Sequence, residues 1–126
     1  MIYEIETLLK SDSYISEHVG DRIKAYQYPK AENLHAPHII IDPLDVPIPS
    51  DYADNVWMTD DYLYQIEIWS HDYAVTKEVS RRIRLALWDL GFSQGEGIDE
   101  YDNDYKIYRD ARRYRGKAYR EDLSSL

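Results

Sequence analysis

Hydrophobic and polar positions change period along this chain, and the changes mark its elements. Over residues 2–10, Ile2, Ile5, Leu8 and Leu9 recur at helical spacing and predict a first helix. Asp12 or Ser13 is placed to cap a short second turn through Val19, with Gly20 ending it. Arg22 to Tyr28 reads as extended, and a loop follows from Pro29 to Pro37. The run His38-Ile39-Ile40-Ile41, bounded by Pro37 and Pro43, predicts a short buried strand. From Tyr62 the period is two. Tyr62, Tyr64, Ile66 and Ile68 share an apolar face, while Leu63, Gln65, Glu67 and Trp69 share the other. Ser70 or Asp72 then caps a helix that Gly91 and Phe92 close. Its apolar stripe, Val75, Val79, Ile83, Ala86, Leu87 and Leu90, spans roughly 120° at about 100° per residue.

Two segments carry neither period. Residues 43–61 hold three prolines and, counting Asp42, six acids, which predicts a long acidic loop. Trp57 and Met58 near its end read either as a lid on the core or as exposed anchors. Gln94 to Asp104 is acidic and contains glycine. Tyr105 to Tyr119 then reads as a strand or hairpin, with Tyr105 and Ile107 on one face and weaker alternation beyond Asp110. A charge-protected edge strand fits this basic segment, 105–120. An arm that adds to a neighbour's sheet fits it as well.

A length of 126 residues holds one domain with a real core and excludes two. The net charge of −9 argues against general nucleic-acid binding, which needs excess Lys and Arg. That charge is unevenly spread. Lys106, Arg109, Arg112, Arg113, Arg115, Lys117 and Arg120 cluster against the single acid Asp110. Glu96, Asp99, Glu100, Asp102 and Asp104 precede them without a base, and the 42–61 segment is acidic too. Opposite charges on separate parts of a small domain are expected to steer self-association. On this reading Arg109, Arg112, Arg113 and Arg115 are interface candidates. Leu85 and Trp88 lie off the helix stripe beside Lys77, Arg81 and Arg84, and are candidates with Trp57; the alternative is that neighbouring loops cover them. The 13 tyrosines suit interfaces, and they equally suit strands.

Chemistry is sparse. His35 and His38 are three apart, yet no Cys or carboxylate has the spacing to complete a metal site, so they read as a surface loop pair. His71 at the strand-to-helix turn reads as a backbone partner. Asp99, Asp102, Asn103 and Asp104 lack the central Gly and closing Glu of a calcium loop. No phosphate-binding loop, GxSxG elbow or Ser/His/Asp order is present, so neither cofactor nor catalytic residues are expected. The absence of cysteine excludes disulfides and fits a reducing compartment. The acidic start MIYEIETLLKSD is not expected to be a signal peptide, and no segment reaches membrane-span length.

Three features together resemble the tail-completion, or tail-terminator, proteins of long-tailed bacteriophages. They are a helical start ending in Val19-Gly20-Asp21-Arg22-Ile23, a Pro-rich loop opening into Pro37-His38-Ile39-Ile40-Ile41, and Tyr64-Gln65-Ile66-Glu67-Ile68-Trp69-Ser70 followed by the helix to Leu90. The acidic 43–61 segment and the Arg-rich end depart from that pattern. The resemblance implies an α+β fold, with two main helices packed on a small mixed or antiparallel sheet. It also implies a non-enzymatic homo-oligomer, commonly a hexameric ring, that caps the tail tube and docks to the head connector or stopper. Such a subunit is made in the host cytoplasm, ends in the virion at the head-tail joint, contacts no membrane and lets DNA pass through its lumen. The competing expectation is a small acidic inhibitor or immunity-type binding protein. A third is a small enzyme using an unrecognised carboxylate site.

Overall fold

The computed structural model describes residues 1–120. Helices α1 (Ile2–Lys10) and α2 (Ser13–His18) meet at Asp12, whose Oδ1 accepts the Ile15 backbone N–H at 3.0 Å and caps α2. Gly20 follows at φ +58, a left-handed turn that glycine adopts without strain. The main helix α3 (Tyr73–Asp89) starts at Asp72, which accepts from Val75 N at 3.1 Å. Ser70 Oγ accepts from Asp72 N at 3.0 Å, so one of the two predicted caps holds the other in place.

Strands β1 (Ile23–Ala25) and β2 (His38–Pro43) run parallel; the remaining pairings are antiparallel. β4 (Val56–Ser70) is the spine of the sheet. β2 covers one side of residues 64–69, and β6 (Ile107–Tyr119) covers the other side from residue 59 to 70. β5 (Phe92–Asp102) closes the order β1-β2-β4-β6-β5. The fold is a single α+β domain with one mixed sheet.

Two expectations are corrected. Residues 43–61 do not form a loop: Ile48–Ala53 is a strand, β3, paired with the start of β4. β2 and β3 therefore lie end to end along β4. Pro49 is tolerated because β3 is an edge strand, where a missing N–H costs no ladder bond. Asp54 and Asn55 make the turn, both at positive φ (51° and 65°), the conformation a two-residue type I′ hairpin requires. The second correction concerns the basic segment, which is no edge. β6 lies between β4 and β5, and from Tyr108 to Gly116 it is paired on both sides within its own subunit, which leaves that stretch no free edge for a neighbour's sheet. The glycine-containing acidic run 94–104 supplies the edge strand β5.

The core lies between the helices and one sheet face. Ile5, Leu9, Ile15 and Val19 meet Ile39, Ile41, Ile66 and Ile68, while Val79, Ile83 and Leu87 come from the predicted α3 stripe. Phe92 packs beside Tyr62 and Tyr64, with ring centroids 6.2 and 5.9 Å away. Gly116 lies against the Phe92 ring, and any Cβ there would overlap it. On the opposite sheet face the segment from Tyr28 to Pro37, with a 3-10 turn at Ala31–Asn33, forms a strap that buries Leu34. Arg22 fastens it, donating from Nε to the Pro37 carbonyl at 2.8 Å and from a terminal nitrogen to the His18 carbonyl at 2.7 Å.

Candidate functional site

The strand register decides where the arginines go. On β6, Arg109, Arg113 and Arg115 stand opposite Trp69, Gln65 and Leu63 of β4. Alternation puts these on the strap side, whereas Arg112 shares the helix side with Tyr114. The predicted charge separation closes up within one subunit. Arg109 bonds Glu67 at 2.6 Å and Glu100 at 2.9 Å. Arg112 holds both oxygens of Asp110, at 2.8 and 3.0 Å, and Arg113 lies 3.6 Å from Glu96. Lys117 meets Asp51 at 2.7 Å. The expectation that basic and acidic segments form separate faces is therefore corrected: antiparallel pairing of β5, β6 and β4 sets them side by side. Arg115 is exposed and has no ion pair among the described residues.

Glu67 is the hub of the strap side. None of its surface is exposed, yet Arg109, Trp69 Nε1 (3.0 Å), Gln65 Nε2 (2.9 Å) and the Tyr28 hydroxyl (3.1 Å) all donate to it. Burial pushes its carboxyl up, but the bonds from Arg109, Trp69 and Gln65 outweigh this and hold it below the ordinary carboxylate value. The Glu67 contact in turn raises the Arg109 guanidinium. Burial, followed by the Glu67 charge, pushes the Tyr28 phenol far above its usual value. Four donors from β4, β6 and the strap converge on this one carboxylate, so the cluster fixes the strap to the sheet. Sequence reading had Glu67 only as a member of the second strand face. Its sole local signal was a carboxylate flanked at alternate positions by Gln65 and Trp69.

The helix side carries a second polar group under α3. Asp110, almost wholly buried, receives Lys77 Nζ at 3.1 Å as well as Arg112. Burial lowers the Lys77 ammonium, and its bonds to Asp99 and Asp110 more than reverse this, leaving it raised. His71 Nδ1 donates to the Lys106 carbonyl at 2.7 Å, a backbone partnership as its position suggested. His38 Nε2 bonds the Asn33 carbonyl at 2.8 Å, and burial lowers its imidazole. Among the described residues no group of three or more His, Cys, Asp or Glu is placed to hold a metal ion.

The apolar candidates lie at the surface. Leu85 is 53% exposed and Trp88 is 69% exposed on the outer ridge of α3, uncovered by loops. Trp57 is 37% exposed, and the Arg120 guanidinium sits 4.4 Å from its ring centroid. Trp57 lines an open groove of about 920 Å³ with Met1, Tyr3, Tyr26, Leu44 and Tyr62. It is thus part of a half-open wall instead of a closed lid. Sequence reading missed the neighbours that make this a surface, namely Val46, Ile48, Tyr52 and Val56, all exposed.

A chain in the solved virion of a native gene transfer agent (GTA) particle is similar, with a TM-score of 0.61 over 92% of each chain. The fold recurs in a virion. Sequence identity is 10%, so the likeness is one of fold. No protein-family model and no curated protein matches the sequence. Among the described residues, no helix is long and apolar enough to cross a membrane.

Proposed function

We propose that this chain is a structural virion protein that caps a phage-type tail tube and joins the tail to the head connector as a homo-oligomeric ring. The observation that carries this reading is the fold shared, over nearly its full length, with a chain of the GTA virion. The resemblance of the 19–23, 37–41 and 64–90 segments to tail-completion proteins points the same way and gives the ring its six copies. The charged side chains support an interface role over catalysis, because the buried ones are engaged in holding strands and strap. Contacts with the tail tube protein and the connector or stopper then fall to exposed groups, among them Arg115, Trp57, Leu85 and Trp88. A net charge of −9 per copy would keep passing DNA from adhering to the lumen.

Light scattering of the purified protein, at low and high salt and with and without assembled tail tubes, tests this reading. A ring-sized species, or a monomer that is incorporated at tube ends, is the expected result. A monomer indifferent to tubes at every salt concentration overturns it. A stoichiometric 1:1 complex with a basic enzyme would then install the inhibitor reading in its place.

A further inference from the structure

We propose that the β3–β4 hairpin of one copy docks on the outer ridge of α3 in the next copy, so that Leu85 and Trp88 receive the arm and Arg84 meets its acids. This deepens the ring reading and rests on it. From residue 51 to 58 the hairpin is a two-stranded ribbon, since β6 pairs with β4 only as far as Thr59; β3 pairs only with β4, and its side chains are largely exposed. A two-stranded ribbon is marginal alone in water, and an exposed edge with apolar side chains calls for a cover. Val46, Ile48, Tyr52 and Val56 are the apolar groups that need it.

Charge selects the cover. Residues 42–61 hold six aspartates and no Lys or Arg. Lys117 reaches Asp51 and Asp61, whereas Asp45, Asp54 and Asp60 have no ion pair among the described residues. α3 has the opposite balance, with Lys77, Arg81, Arg82 and Arg84 against Glu78 and Asp89. Lys77 is bound to Asp99 and Asp110, and Arg81 and Arg82 are bound to Glu78. Arg84 has no ion pair among the described residues and stands exposed on the same ridge as Leu85 and Trp88. Each copy thus carries an acidic apolar arm and an apolar ridge that offers one uncommitted cation, Arg84. Two arms would repel one another, so a self-matching dimer through them is disfavoured. Arm on ridge is a heterologous contact, the kind that closes into a ring. Trp and Arg are also among the residues that concentrate binding energy at interfaces.

The absence of cysteine makes the test direct. Tyr52→Cys and Asp89→Cys place single thiols on the arm and beside Trp88. Under oxidation the doubly substituted protein should give a ladder of covalent oligomers ending at ring size, and neither single variant should give one. Trp88→Ala should raise the concentration for half-assembly at least about tenfold, while the melting temperature of the unassembled subunit stays unchanged because the indole is exposed there. Rings that persist in Trp88→Ala, with no ladder from the double variant, overturn the docking proposal and leave the ring reading standing. If the unsubstituted protein forms no ring and ignores tail tubes, both fall.

Discussion

Arg109 Nε lies 2.6 Å from Oε1 of Glu67, a carboxylate with no exposed surface, and the two residues are 42 positions apart in the chain. That bond joins β4 to β6, while Tyr28 brings the strap to the other oxygen of the same carboxylate. Removing Glu67 would leave an indole N–H and an amide without this acceptor, a guanidinium with Glu100 alone and a phenol with Asp42 alone. Breaking a buried pair from one side costs about 3–5 kcal/mol. Arg109 keeps Glu100, so the lower end is expected for Glu67→Ala. Urea unfolding should show a loss of about 3 kcal/mol, and Arg109→Ala combined with it should cost clearly less than the sum of the single variants.

The same carboxylate makes stability depend on pH, with a definite sign. Its pKa in the folded chain lies below the ordinary value of 4.5. The unfolded chain therefore takes up the proton first on acidification. The stabilisation is fully present above the ordinary value and is lost as pH falls through the lower, folded one. Denaturant midpoints measured from pH 7 down to pH 3 should drop more steeply for the natural protein than for Glu67→Gln. Parallel curves would remove Glu67 from the account.

Gly116 faces Phe92 across the β5–β6 ladder, and a Cβ would overlap ring atoms that have Tyr62 and Tyr64 behind them. The ring has nowhere to swing, because Phe92 is almost fully buried. Gly116→Val is expected to destabilise by about 1–3 kcal/mol through overpacking. A thermal melt that does not move would show that the aromatic cluster has slack.

Asp72→Ala removes the side chain that accepts the Val75 N–H at the start of α3. The expected cost is about 1 kcal/mol. Ser70→Ala should cost less, since Ser70 bonds the backbone of Asp72 and no N–H of the helix itself. Equal losses in chemical denaturation would refute this order.

These caps and the α3 stripe were legible because they depend on neighbours three or four positions apart, which a sequence displays directly. β4 was legible from Tyr62 onward for the same reason, its period of two being complete there. The Glu67 cluster was not legible, since it is made by the register between strands distant in the chain. β6 was misplaced at an edge because its charges read as a guard against edge pairing, when they neutralise the buried Glu67 and Asp110 and the exposed Glu96 and Glu100. The arm was missed through Pro43, Pro47 and Pro49, which suggest a loop wherever the strand's edge position is unknown. The overlooked signal was Asp54-Asn55, a pair suited to a type I′ turn between Tyr52 and Trp57.

That turn permits a test of the arm as a separable unit. Asp54 sits at φ 51°, and proline is fixed near about −65°, so Asp54→Pro cannot keep the turn. The core residues lie elsewhere: Tyr62, Tyr64, Ile66 and Ile68 belong to the part of β4 clamped by β2 and β6. Amide exchange should therefore quicken across residues 48–59 and stay slow across 64–70, with the melting temperature shifted by no more than a few degrees. The reason is that β3 contributes exposed surface to the monomer and is tied to the sheet by backbone bonds and by the polar contacts of Ser50 and Asp51 alone, with no buried apolar side chain. Uniform loss of protection in both stretches would instead make the arm part of the folding core, and its exposed apolar side chains would then need no partner's cover to explain why the ribbon holds.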